Sequence, residues 1–324
     1  MTKMNHPISI SIAGTTDHTV QCVEALKNDS RFSIAWVLTP EPQPIGRKKI
    51  VTKNPMHIWA EKNNVPLILV KKKIDQEIKD QISNIPSSIS YLLVVDFGYL
   101  IPNWLLSFPQ KMPINIHPSA LPKFRGSSPG QFTLLFGEKE SAISVIKMND
   151  KLDEGDLIYQ YFFPIPNTMT LLEYYSFAFE KIAKQLPQLF ADLFEGKVTP
   201  QPQPIESPTP IARRLTKEDG YIEWEIIQSL ISNHHSPITK KPTSNLMMSA
   251  FDQIQDWPTI LHNAIRALSP WPGVWTMVPT NKGEKRMKIL EIETNGEKME
   301  LKKVQLEGLQ PTSLEEIRNQ ITTP

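Results

Sequence analysis

Through its first half the chain alternates short apolar runs with amphipathic stretches, and that rhythm leaves few folds open. Short apolar runs suit strands buried on both faces, and amphipathic stretches between them suit helices that cross over from one strand to the next. Strands joined by crossover helices pair in parallel, so the reading is an α/β domain with a mostly parallel sheet. Strands are expected at 8–13, 32–38, 67–70, 91–97, 114–117 and 142–148, with helices at 19–28, 56–63 and 129–136. Residues 171–195 read as one long helical region with Pro187 at a kink or boundary. Residues 39–55, TPEPQPIGRKKIVTKNP, are proline-rich and basic and read as an exposed loop.

The proline-rich run 201–210, QPQPIESPTP, falls where one domain's worth of residues has been used, and it reads as a linker. The boundary is accordingly placed to give domains 1–206 and 207–324. Beyond it, strands at 271–278, 287–293 and 298–305, separated by turn signals, point to a small β-barrel or sandwich. Residues 226–259 show no clear period and read as irregular.

Composition excludes several classes. The single cysteine, Cys22, permits no internal disulfide and no paired-cysteine metal site, which fits a reducing compartment. The longest apolar stretch, 91–106, is broken by Asp96 and Pro102 and falls short of the ~20 residues of a membrane span. The first residues lack a secretory pattern and read as a first strand, so a cytoplasmic protein is expected. The formal charge of +1 gives nucleic acid no general attraction, so any RNA contact must come from local patches. Among 324 residues there are only 13 glycines, and neither GxGxxG nor a Walker phosphate loop occurs. A dinucleotide oxidoreductase is therefore disfavoured, and the absence of GxSxG disfavours a Ser-His-Asp hydrolase.

Two segments could carry chemistry. In INIHPSALPKFRGSSPG, 114–130, Asn115 and His117 stand two residues apart on an extended segment and so share a face. An amide donor beside an imidazole, ahead of a proline-stiffened loop, suits acyl transfer, which needs a donor to a developing oxyanion and a group that handles protons. The same spacing fits a capped turn whose histidine is only hydrogen-bonded. In MNDKLDEGDLIYQ, 148–160, a strand runs into a turn with Asp150, Asp153, Glu154 and Asp156. The calcium-loop pattern is absent and no metal is expected. Asp153 could support His117 as a carboxylate orients the histidine of a triad, or belong to a solvated turn.

Taken together, N-x-H-P-S-x-L-P-x-x-R-G-x-x-P at 115–129 and L-D-x-G-D-L at 152–157 resemble the folate-dependent formyltransferase family. The resemblance continues in AGT at Ala13, TPEPQPIGRKK at Thr39, VVDFGYLIP at Val94, LTKEDGYIEW at Leu215, AIRALSPWPGVW at Ala264 and VQLEG at Val304. It implies a Rossmann-like formyltransferase domain and a C-terminal OB-like β-barrel. The implied reaction is transfer of a formyl group from 10-formyltetrahydrofolate, without a metal. Asn115 would hydrogen-bond the formyl oxygen, His117 would stabilise the oxyanion, and Asp153 would orient His117 and help remove the amine's proton. Ser119, Ala120, Leu121 and Pro122 would lie at the folate site, with Phe97, Gly98, Leu100 and Ile101 as walls for the pterin.

The C-terminal motifs and the basic loop favour the branch of the family whose acceptor is methionyl initiator tRNA, acting as a monomer. Arg47, Lys48 and Lys49 would contact the acceptor stem, and a C-terminal cluster of Lys282, Lys285, Arg286, Lys288, Lys302 and Lys303 is a weaker candidate. The rival acceptor is an amino-sugar nucleotide, and a non-catalytic tRNA-binding protein is the rival class. Some positions depart from the family pattern. Its GTPDF start is GTTDH here, which puts Thr16 in place of proline; Lys48 replaces a glycine and Ala120 a leucine. The stretch between Trp224 and Ala264, with His234, His235, Met247 and Met248, is longer than the family's connector.

Overall fold

The computed structural model describes residues 6–46, 48–232, 242–295 and 298–322. The chain opens with β1 (Ile8–Gly14), α1 (Asp17–Lys27), β2 (Phe32–Pro40), β3 (Gln43–Ile45), β4 (Ile50–Thr52), α2 (Pro55–Lys62) and β5 (Leu67–Val70). It continues through α3 (Gln76–Ser83), β6 (Tyr91–Val95), α4 (Asn103–Leu106), β7 (Met112–His117), α5 (Pro129–Leu135), β8 (Glu140–Lys147), β9 (Leu157–Pro164) and α6 (Leu171–Phe194). Then come α7 (Trp224–Ile231), α8 (Asn245–Ile254), α9 (Trp257–Leu268), β10 (Val274–Thr280), β11 (Gly283–Asn295), β12 (Lys298–Leu306) and α10 (Leu314–Ile317).

The main sheet has the order β5-β2-β1-β6-β7-β8-β9. Its first five strands pair in parallel, and β8 runs antiparallel to β7. β6, YLLVV, is buried throughout, as a central strand covered on both faces must be. Gly14 ends β1 where no side chain fits: a Cβ there would lie 2.2 Å from the Thr19 methyl. Thr16 then caps α1 with a reciprocal bond to Thr19, whose hydroxyl reaches the Val95 carbonyl at 2.9 Å and ties the helix start to β6.

Contacts divide the chain into two compact units. One holds the residues to Gly126 with Ser141–Phe163 and Tyr175–Ile211; the other holds Ser127–Glu140, Pro164–Tyr174 and the residues from Ala212. The second unit carries the three-stranded antiparallel sheet β10-β11-β12. Within it the two C-terminal sequence motifs dock on each other. Ile222 N–H donates to the Trp275 carbonyl at 3.0 Å, the Tyr221 and Trp275 rings lie 4.8 Å apart, and a Cβ at Gly220 would collide with the Gly273 carbonyl at 1.8 Å.

Four local expectations need correction. The basic loop contains a small hairpin, β3 on β4, whose turn uses Gly46 and Lys49 at positive φ. Residues 226–259 are not irregular: α7, α8 and the start of α9 occupy much of the stretch, with Ser244 and Asp256 accepting from the first-turn amides of the latter two. α7 and α8 are short and bury four and three apolar residues, too few for a period to stand out in sequence. Pro187 sits inside α6, which continues to Phe194, so it is no boundary. The run 201–210 is a strap rather than a free linker, because Gln201 pairs with Leu157 and the residues after it reach the site described next. His234 and His235 lie outside the described residues.

Candidate active site

β7 delivers Asn115 and His117 to the carboxyl edge of the sheet, where open α/β folds bind ligands. Asp153 comes from the turn between β8 and β9, in a left-handed backbone conformation at φ 54° that Asp and Asn adopt more readily than most residues. That turn is held close to β8 at Gly155, where a Cβ would lie 1.8 Å from the Lys147 carbonyl. The three residues meet. Asn115 Nδ2 donates to Asp153 Oδ1 at 3.4 Å, His117 Nδ1 lies 3.6 Å from Asp153 Oδ2, and the Gly126 N–H donates to the same oxygen at 2.9 Å. His117 is buried, and its Nε2–H donates to the Phe124 carbonyl at 3.1 Å.

Two of these contacts are long. At 3.4 Å the amide bond to Asp153 is weak, and at 3.6 Å the imidazole nitrogen and the carboxylate stand just beyond hydrogen-bond reach. An amide donor, an imidazole and a carboxylate within reach of one another can stabilise a new oxyanion and move a proton.

The loop after His117 is fastened from behind. Ser144 Oγ donates to the Ser119 carbonyl at 2.6 Å, Gln160 Nε2 donates to the Leu121 carbonyl at 3.0 Å, and Ser119 Oγ donates to the Lys123 carbonyl at 2.7 Å. Leu121–Pro122 is a cis peptide bond and Phe124 has positive φ. From the strap, Thr209 Oγ1 accepts the Phe124 N–H at 2.6 Å, while Gln203 Nε2 donates to the carbonyls of Asp153 at 2.9 Å and Gly155 at 2.5 Å. The buried Arg125 donates to Gln203 Oε1 and to the carbonyls of Pro204 and Ile205. Gln203, Thr209, Ser144 and Gln160 were missed in the sequence. The proline-rich run around Gln203 carries no periodic signal.

Of the residues expected at the folate site, Ile101 and Leu121 are buried, Phe97, Ala120 and Pro122 are half-buried, and Ser119 is buried and bonded as above. Gly98 is exposed, and a side chain there would meet nothing within 4 Å, so its backbone borders open space beside the Phe97 and Tyr99 rings. Apolar side chains beside an open stretch of backbone fit a flat heteroaromatic ring. Leu100 is 90% exposed. Among the described residues no group of three or more His, Cys, Asp or Glu is placed to hold a metal, and no helix is long and apolar enough to cross a membrane.

Lys48 and Lys49 are exposed on the hairpin turn, and Arg47 lies outside the described residues. In the C-terminal cluster Lys302 is engaged by Glu293 at 2.7 Å and Glu300 at 2.8 Å, bonds that push its ammonium pKa up and remove it from the free charges.

A mostly parallel α/β sheet with an amide, an imidazole and a carboxylate gathered at one edge is suited to acyl transfer. The chain belongs to the formyl transferase family: residues 7–189 match Formyl transferase, and residues 255–303 match its C-terminal domain. Relatives include a methionyl-tRNA formyltransferase of Rickettsia bellii, 27% identical and covering 98% of each chain. Another, from Acidobacterium capsulatum, is 30% identical over 85% of this chain and 78% of its own. Among solved structures, a methionyl-tRNA formyltransferase from Clostridium thermocellum matches with a TM-score of 0.53 at 18% identity, covering 92% of this chain and 98% of that one. WlaRD, a sugar 3N-formyl transferase in the presence of dTDP and 5-N-formyl-THF, matches with 0.57 at 19%, covering 90% and 88%. The expected class of enzyme and its α/β fold are thus both found.

Proposed function

We propose that the chain transfers a formyl group from 10-formyltetrahydrofolate to the α-amino group of methionine esterified to initiator tRNA, working as a monomer in the cytoplasm. The observation that carries this reading is the meeting of Asn115, His117 and Asp153 at one sheet edge, in a chain whose full-length relatives act on methionyl-tRNA. The folate brings the formyl carbon as an electrophile. Asn115 donates its amide N–H to the formyl oxygen, and His117 stabilises the negative charge that grows on that oxygen as the amine adds. Asp153 orients His117 and, through water, takes the proton that the attacking nitrogen must shed; as the oxyanion collapses, the bond from the formyl carbon to the folate nitrogen breaks and that nitrogen leaves with a proton returned through the same water. Phe97, Gly98 and Ile101 hold the pterin, with Leu100 at its outer rim, and Ser119, Ala120, Leu121 and Pro122 form the floor beside it. Arg47, Lys48 and Lys49 meet acceptor-stem phosphates, where each contact adds affinity that salt weakens. On this reading residues 1–206 are the catalytic domain, and residues 207–324 are an OB-like domain that helps hold the tRNA.

The test is formyl transfer from 10-formyltetrahydrofolate to methionyl initiator tRNA, run beside free methionine and an amino-sugar nucleotide. Transfer to the charged tRNA alone is expected. Transfer to the sugar alone would keep the chemistry and overturn the acceptor.

A further inference from the structure

A second polar cluster stands at the same sheet edge and has no part in the chemistry described above. Asp96 Oδ2 accepts the Thr16 hydroxyl at 2.7 Å and His18 Nδ1 at 3.0 Å. The His18 ring stacks on Phe179, with centroids 4.5 Å apart and planes 4° from parallel. Tyr175 lies 6.0 Å from the His18 ring, and the side chains of His18 and Asp96 remain 31% and 28% exposed. The ring is therefore fixed on one nitrogen and one face, yet open to a ligand.

Strand register places this cluster beside the reaction centre. Gly14 of β1 pairs with Val95 of β6, and Val95 pairs with Ile116 of β7. One residue further along lie Asp96 and His117, at the ends of adjacent strands that run about 5 Å apart. Asp96 holds a left-handed conformation at φ 46°, an uncommon one for a non-glycine residue, as Asp153 does at φ 54°.

The chemistry of the cluster selects what it can take. A carboxylate can only accept, so Nδ1 of His18 carries the proton that it gives to Asp96, and in the neutral ring Nε2 is left with its lone pair. Nε2 has no hydrogen-bond partner among the described residues. The start of α1 would otherwise favour an anion, but the Asp96 charge already sits there and opposes a second negative group. What fits is a donor, above all an amine.

We propose that His18, held by Asp96 and Phe179, receives the α-amino group of the acceptor: Nε2 takes one N–H and so aims the nitrogen's electron pair at the formyl carbon beside His117. The inference rests on the proposed transfer to an aminoacyl acceptor and assigns its amine-binding group. In the family's GTPDF pattern the position of His18 is a phenylalanine, so this contact would be a property of this chain.

The test is steady-state formyl transfer to methionyl initiator tRNA by wild type, His18→Phe and Asp96→Asn, varying acceptor and 10-formyltetrahydrofolate separately. Phenylalanine keeps the stack on Phe179 and removes Nε2; asparagine tolerates the Asp96 backbone and removes the charge. Loss of one hydrogen bond predicts an acceptor KM raised about tenfold in His18→Phe, with the folate KM within about twofold of wild type. Asp96→Asn should shift the acceptor KM in the same direction by a smaller factor. An active wild type whose acceptor KM is unmoved in His18→Phe, or variants in which both KM values rise together, would overturn this inference alone. A wild type silent on methionyl-tRNA would remove the proposed acceptor and this contact with it.

Discussion

Asp153 and Asp219 are both carboxylates on turns that precede a family motif's end, and they are held very differently. Asp219, in the C-terminal unit, receives Arg213 through both guanidinium nitrogens at 2.8 and 2.6 Å, the Thr216 N–H at 2.7 Å and the Thr216 hydroxyl at 3.2 Å. Burial alone would raise its pKa, but the hydrogen bonds from Arg213 and Thr216 outweigh that and hold it below the ordinary 3.8. Asp153 has one firm bond, from the Gly126 N–H, and two contacts at 3.4 and 3.6 Å. A saturated carboxylate fixes a turn, whereas one with spare lone pairs can still respond to a substrate. Residue type alone does not separate the two roles; the count and length of the bonds do.

The largest expected effect is on catalysis around Asp153. His117→Ala and Asn115→Ala should each lower kcat for formyl transfer about 10²- to 10³-fold while the circular-dichroism spectrum and melting temperature stay near wild type, because each removes a group proposed to act on the developing oxyanion. Next comes the structural partner. Asp219→Asn should cost about 1–3 kcal/mol in urea unfolding at neutral pH, since it weakens the bidentate bonds that satisfy a buried carboxylate. Because the folded pKa of Asp219 is depressed, its contribution is present above the unfolded value and lost as pH falls through the folded one. The gap between wild type and Asp219→Asn should therefore close on the acid side, and a gap that widened there would be against this account.

Smaller effects sharpen the contrast. Gln203→Ala removes the amide that holds the Asp153 and Gly155 carbonyls, and kcat should fall about tenfold through looser positioning of the turn, with little change in the folate KM. An unchanged kcat would make the strap irrelevant to the chemistry. Smallest of all, Asp153→Ala should be about 1 kcal/mol less stable than Asp153→Asn, because alanine tolerates the left-handed backbone less well. Equal stability would remove backbone conformation as a reason for Asp153.

How much of this was legible follows from the kind of signal each part leaves. The strands of the parallel sheet are buried on both faces, so each appears as an apolar run, and β1, β2, β5, β6, β7 and β8 could be located from sequence. Asn115, His117 and Asp153 stood out through motif spacing, and their meeting in space is a property of the fold. The strap and the hairpin left weaker traces. Gln203 and Thr209 work on backbone groups from a proline-rich run, which has no period. β3 and β4 are three residues each, and β3 contains Pro44. Thr16 and His18 lie 80 and 78 residues from Asp96, and the register of β1 with β6 brings them together.

The most direct measurement is single-turnover formyl transfer at saturating folate and methionyl-tRNA, with Asp153→Asn beside Asp219→Asn, each also followed by thermal melting. Asparagine keeps the shape of both side chains and removes their charge. The account predicts that Asp153→Asn melts near wild type and transfers at least about 10²-fold more slowly, while Asp219→Asn melts lower and, at temperatures where it is folded, transfers at the wild-type rate. A folded Asp153→Asn enzyme with undiminished transfer would contradict it.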